Sequence, residues 1–227
     1  MNNQTASIDM MTELFVDKLQ VKPMEHWLPP LSVEALLEQV RKAKGVRDKK
    51  DALEDLVLSY RVKTLPANGH YTEPLAKELI GHLNAFVRSI HLGDHAAVLL
   101  VREGAYCERV RDYDRAVLFY RASTQMPISD PEMRYFSYNN LGFCLNYQRR
   151  FEEAERVLRK AIEFDPQHYN AFKNLGVSLE WQGQYEEAAE CYLKAVRISK
   201  GQEPRSVLHL KRLLERHPTL KHLPFVD

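Results

Sequence analysis

Apolar side chains recur along most of this chain at intervals of three and four residues, the spacing that gathers them on one face of an α-helix. Residues 1–30 show no such period and run into Leu28-Pro-Pro-Leu31, which reads as a frayed arm. Ser32 then stands where a helix N-cap belongs. Glu34 falls in the first turn, where a negative charge suits the helix dipole, while Ala35 leaves the reciprocal capping box incomplete. A helix over 33–44 follows, and a second over 48–62 is built on Ala52, Leu53, Leu56, Val57 and Tyr60. Pro66, Asn68 and Gly69 mark 64–72 as a loop. A long helix over 73–92 carries Leu75, Leu79, Ile80, Leu83, Phe86, Val87 and Ile90, and Gly93-Asp94 stops it. Near the other end the break from Gly201 to Pro204 precedes a last helix over 205–217 with Val207, Leu208, Leu210, Leu213 and Leu214. Pro218 and Pro224 should keep the tail out of a helix.

Between these flanks the pattern repeats itself. Tyr135-Phe-Ser-Tyr-Asn-Asn-Leu-Gly142 aligns with Tyr169-Asn-Ala-Phe-Lys-Asn-Leu-Gly176, and Leu141 and Leu175 stand 34 residues apart. The same shift pairs Leu145 with Leu179, Gln148 with Gln182, Phe151 with Tyr185, Ala154 with Ala188 and Ala161 with Ala195. A weaker upstream copy has Gly104, Tyr113, Ala116 and Tyr120 at matching places, with the extra residues most simply in Pro127-Ile-Ser-Asp-Pro131.

This period, the Asn-Leu-Gly core, the aromatic after each inner turn and the small alanines resemble the tetratricopeptide repeat, a helix–turn–helix unit. The resemblance covers roughly residues 96–200. Three departures stand out: Glu103 replaces a leucine, Ser123 replaces an alanine, and the third copy ends in Ser199-Lys200 in place of Asp-Pro. The residue types have a physical reason. Gly142 and Gly176 let paired helices approach, and Ala154 and Ala188 do the same from the second helix. The large apolar stripe on each helix is hidden only by a stacked neighbour. The expected architecture is therefore all-α, an α–α superhelix with an N-terminal helical segment over 31–94. A repeat array over 95–202 (about 95–130, 135–168 and 169–202), a capping helix over 203–218 and a tail over 219–227 complete it.

Composition narrows the function. With 32 Lys and Arg against 31 Asp and Glu, the chain of 227 residues has a formal net charge of +1. That balance argues against nucleic acid or an anionic membrane as the main partner. No apolar stretch has the length of a membrane span. Three cysteines without a C-x-x-C pair, and no leader-like run at residues 1–11, lead to the expectation of free thiols in the cytoplasm. No nucleophile elbow, phosphate loop, zinc motif or dinucleotide fingerprint occurs. His91 and His95 make a poor metal pair across Gly93, and His209, His217 and His222 read as exposed histidines on a basic helix. Glu152-Glu153 and Glu186-Glu187 open helices and suit their dipoles. The expectation is a non-enzyme without catalytic residues, metal or cofactor.

The resemblance also implies a concave face lined by the first helix of each copy. Carried over, it offers Val98, Val101, Ala105, Glu108 and Arg109 from the first copy. Phe136, Asn139, Phe143, Asn146 and Tyr147 come from the second, and Asn170, Lys173, Val177, Glu180 and Trp181 from the third. Asn140 and Asn174 occupy the place where relatives grip a peptide backbone with amide side chains. For these, bonds within the scaffold are the competing reading, and for the aromatics, core packing. The clamp that relatives use for a C-terminal carboxylate is not matched, since the corresponding residues are Val101, Ala105, Asn140, Asn170 and Asn174. The expected function is an adaptor that binds an extended segment of another protein, with the oligomeric state left open. The alternative is a small secretion-system chaperone holding a hydrophobic client, alone or as a dimer. Self-occupation of the groove by residues 10–28 or 220–226 is a further reading.

Overall fold

Capping side chains, acidic first turns and buried stripes build ten helices among the described residues of the computed structural model, with no strand. The structure describes residues 32–64, 69–90 and 92–222. The expected arm over 1–30, the middle of the 64–72 loop, His91 and residues 223–227 lie outside the described residues, as does the 10–28 segment considered for the groove. No helix of the described residues is long and apolar enough to cross a membrane.

The chain divides into two compact units, Met1–Ser59 and Tyr60–Asp227. In the first, α1 spans Val33–Lys42, where the Ser32 side chain accepts from the Ala35 N–H at 3.2 Å and Val33, Leu36 and Val40 are buried. Helix α2 spans Val46–Lys63 and crosses into the second unit. The boundary thus falls inside the segment that sequence periodicity groups as 31–94. The reason lies at residues 60–71: Glu103, the charge in a leucine's place, accepts from Arg61 Nε at 2.9 Å, from Arg61 Nη2 at 2.6 Å and from the Tyr71 hydroxyl at 2.8 Å. The departure from the repeat pattern is what ties this stretch to the first repeat.

After α3 (Glu73–Ile90), three helix pairs follow: α4 (Gly93–Arg109) with α5 (Tyr113–Thr124), α6 (Pro131–Tyr147) with α7 (Phe151–Phe164), and α8 (Tyr169–Trp181) with α9 (Tyr185–Ile198). Within each pair the glycine is a steric requirement. A Cβ on Gly104 would lie 2.7 Å from the Tyr120 ring, one on Gly176 would lie 2.6 Å from the Tyr192 ring, and one on Gly142 would run into Leu158. Ala116, Ala154, Ala161, Ala188 and Ala195 are fully buried opposite. Ser123, the second departure, is also fully buried and satisfies itself by donating to the Tyr120 carbonyl at 2.8 Å.

Second helices pack on the next first helix (α5 on α6, α7 on α8, α9 on α10), and first helices also meet one another, α4 with α6 and α6 with α8. The insertion at Pro127–Pro131 is fastened to the start of α4. Asp94 accepts from the Ser129 N–H at 2.7 Å, from the Ser129 hydroxyl and from the Asp130 N–H at 3.3 Å. Helix α10 (Pro204–Arg216) is capped by Glu203, which accepts from the Ser206 N–H and hydroxyl, both at 2.6 Å, and it buries Leu213 fully. Contrary to the expectation for the tail, Pro218–His222 forms a 3-10 helix, because proline fits the first turn of a helix and Leu220 finds a buried place.

Candidate functional site

Each repeat has its inner turn where a first helix ends and a second begins, and a row of stacked rings runs along that end. Tyr113, the first residue of α5, stacks on Tyr147, the last of α6, with centroids 4.4 Å apart and planes 15° apart. Phe151 stacks on Trp181 in the same way at 5.6 Å and 0°. Tyr185 stacks on His217, just past α10, at 3.8 Å and 25°. The third rung shows that α10 takes the place of a fourth first helix and does more than cover the end. A trace of this is in the sequence, since Leu145, Leu179 and Leu213 follow one another at intervals of 34, but the rest of α10 departs from the repeat. Two of the histidines read as exposed are engaged: His217 in this rung, and His209 stacked on Tyr192 at 5.1 Å, where burial lowers its pKa.

The residues expected on the inner face divide into those that are spent on the scaffold and those that are presented. Asn174 and Asn139 are each only 6% exposed; Asn174 Nδ2 donates to Asn139 Oδ1 at 3.1 Å, and Asn139 Nδ2 to Asn140 Oδ1 at 3.1 Å. Asn146 Nδ2 donates to the Asn174 carbonyl at 2.9 Å and its Oδ1 accepts from the Ser178 hydroxyl at 2.8 Å. The expected amide ladder is thus turned inward as a lock between α6 and α8, because a buried amide needs partners and finds them in the next repeat. Val101 is 4% exposed and belongs to the core. Lys173 is tied up too, donating to Asn170 Oδ1 at 2.7 Å with Glu203 at 4.0 Å; burial pushes its ammonium down to about 8, with Glu203 opposing.

The inner-face glutamates are sequestered in matching ways. Glu108 accepts from the Tyr120 hydroxyl at 2.9 Å and Glu180 from the Tyr192 hydroxyl at 2.7 Å. Burial pushes the Glu108 carboxyl up to about 7 against the lowering effect of the tyrosine bond. Glu180 also pairs with Arg216. The middle repeat has Leu158 and Asn146 in these places, so it makes no such bond.

What remains presented is aromatic and cationic. Tyr147 is 54% exposed and Trp181 61% exposed, each with one face braced by its rung. Phe143 sets its edge on Tyr147 at 4.9 Å and is half-buried. Phe136 is half-buried against Tyr135 and His168. Asn140, Asn170 and Val177 are half-buried, and Arg109 is exposed. Arg149 lies over the Trp181 ring at 5.2 Å. Beyond Trp181 the face continues into a cleft of about 450 Å³ lined by Val177, Glu180, Trp181, Tyr192, His209, Arg212, Glu215 and Arg216. The α10 side of this cleft was not legible from the three aligned copies. Cys107, Cys144 and Cys191 are buried and free, with burial pushing the thiols of Cys107 and Cys191 up to about 12.

A tetratricopeptide repeat profile matches residues 146–203. The chain carries tetratricopeptide repeats. No curated protein matches the sequence. Among solved structures, the tetratricopeptide domain of Arabidopsis OM64 shares 22% identity with this repeat protein at a TM-score of 0.50, covering 55% of this chain and 98% of that one. MamA from Desulfovibrio magneticus RS-1 shares 19% identity at a TM-score of 0.51, covering 79% of this chain and 92% of that one. At that identity the likeness is one of fold: stacked tetratricopeptide helix pairs.

Proposed function

We propose that this repeat protein is a non-catalytic adaptor that binds an extended segment of a partner protein along the inner face of its first helices. One observation carries the reading: Tyr147 and Trp181 stand at the same place in successive repeats, more than half exposed, with one ring face held rigid by stacking on the preceding repeat. Rigid aromatic side chains that stay more than half exposed supply contact area at small entropic cost, which is what an anchor for a partner needs. The neighbouring amides lock the scaffold and so hold the two anchors at a fixed spacing. Binding is therefore expected to depend on rings more than on amide gripping, with Asn140 and Asn170 as secondary contacts.

The test is affinity capture from a lysate with the wild-type chain and with Tyr147→Ala plus Trp181→Ala, read by mass spectrometry. Proteins recovered with the wild type should be lost with the variant while its helical circular dichroism is unchanged. Equal recovery by both would remove the inner face as the binding surface.

A further inference from the structure

The acids of the inner face are occupied, whereas the arginines at its turn end have no carboxylate partner among the described residues. Glu108 is bonded to Tyr120, Glu180 to Tyr192 and Arg216, and Glu203 to Ser206. Arg109, Arg111 and Arg149 are exposed and form no ion pair among the described residues. These side chains fall into register with the anchors. Arg109, Tyr147 and Trp181 are the last residues of α4, α6 and α8, and Arg111 and Arg149 each stand two residues past such an end. The turn end of the array is thus a strip on which exposed rings stand beside arginines that have no carboxylate partner among the described residues. Of the acids exposed near this end, Asp114, Glu152 and Glu186 belong to the second helices, with Asp114 already accepting from Gln148 at 2.8 Å, and Glu215 of α10 lines the cleft beside Trp181 with Lys211 at 4.0 Å.

We propose that this strip sets partner choice by taking a short acidic stretch of an extended polypeptide, with its carboxylates on Arg109, Arg111 and Arg149 and an aromatic or apolar side chain against Tyr147 and Trp181. The inference rests on the inner-face reading above and adds the chemistry of the occupant. Charge complementarity supplies the reason: the three guanidiniums have no carboxylate partner among the described residues, and guanidinium is the cation best matched to a planar carboxylate. Spacing fits as well. Packed helices lie roughly 8–10 Å apart, and about three residues of extended chain cover that distance. Acidic and aromatic residues three apart would therefore meet successive repeats. A nucleic acid is the less favoured polyanion, since the whole chain carries a formal net charge of only +1 and the strip holds three unpaired cations.

The experiment selects from a displayed library of random peptides about twelve residues long, enough to pass three repeats. The full chain, Arg109→Glu plus Arg149→Glu, and Tyr147→Ala plus Trp181→Ala are used in parallel, with the milder Arg109→Gln plus Arg149→Gln added in case charge reversal harms folding. The wild type should enrich Asp or Glu beside an aromatic residue, and the arginine variants should lose the acidic preference. The selected peptide, once synthesised, should bind the reversed variant about tenfold more weakly and weaken with added salt. Enrichment without acidic residues that depends only on Tyr147 and Trp181 would overturn the proposal and leave the inner-face reading standing. Absence of any enrichment over the unselected library would remove both. An oligothymidine of similar length that binds as tightly, with the same arginine dependence, would replace the peptide with nucleic acid.

Discussion

Arg61 Nη2 lies 2.6 Å from the Glu103 carboxylate, whose side chain is 2% exposed. The pair joins residues 42 positions apart and is completed by the Tyr71 hydroxyl. Removing one partner of a buried pair leaves the other charge without compensation, which typically costs about 3–5 kcal/mol. Glu103→Ala should therefore lower the urea midpoint sharply. Arg61→Met with Tyr71→Phe and Glu103→Leu replaces the whole cluster by apolar groups and should recover most of the loss. If Glu103→Ala left the midpoint within error of the wild type, the cluster would not hold the 60–71 stretch to the first repeat.

Arg111 and Arg149 adopt φ values of 62° and 61° at the place where the third repeat has Gly183 at 79°. A side chain in this region costs roughly 1–2 kcal/mol, of which the greater freedom of unfolded glycine takes back about 0.5–1 kcal/mol. Arg111→Gly should raise the melting temperature by a few degrees. Arg149→Gly should gain less, because it also removes the guanidinium from the Trp181 ring. A larger gain at 149 than at 111 in a thermal melt would show that the contact with Trp181 contributes nothing.

The repeats were readable because close helix approach restricts residue type at fixed intervals: Gly104, Gly142 and Gly176 admit no Cβ against Tyr120, Leu158 and Tyr192. The inner face was readable only in part. Spacing places Asn174 on the first helix of its repeat, but it says nothing of Asn139 in the preceding repeat waiting 3.1 Å away. Glu103 was visible as a departure, while its partners Arg61 and Tyr71 precede the repeats and follow no period. The extension of the face by α10 was hidden for a similar reason: a 34-residue interval preserves Leu213, whereas His209, Arg212 and Arg216 match no consensus place.

Ser137 is fully buried on α6, and its hydroxyl has no hydrogen-bond partner among the described residues. An unsatisfied buried hydroxyl is a net cost, and alanine is also the better helix former. Ser137→Ala should therefore stabilise the chain by about 1 kcal/mol, read as an increase in the denaturation midpoint with an unchanged slope. A decrease would mean that the hydroxyl has a partner, such as an ordered water, that the alanine cannot replace.

Glu108 gives the fold a pH dependence whose sign can be worked out. Its carboxyl, faced by the Tyr120 hydroxyl at 2.9 Å and by Cys144 Sγ at 4.0 Å, is raised from 4.5 to about 7 by burial. Between these values the folded chain keeps a proton that the unfolded chain has released, so this group's contribution to stability falls as pH rises through the window. Above pH 7 the cost of the buried charge is present in full, and below about 4.5 it is absent. Glu108→Gln keeps an oxygen to accept from Tyr120 and removes the charge. Its stabilisation relative to wild type should be largest at pH 8, shrink as pH falls through the window and vanish near pH 4. Urea melts of both chains across this range test it, and a gain that is the same at pH 5 and pH 8 would show that Glu108 stays ionised throughout.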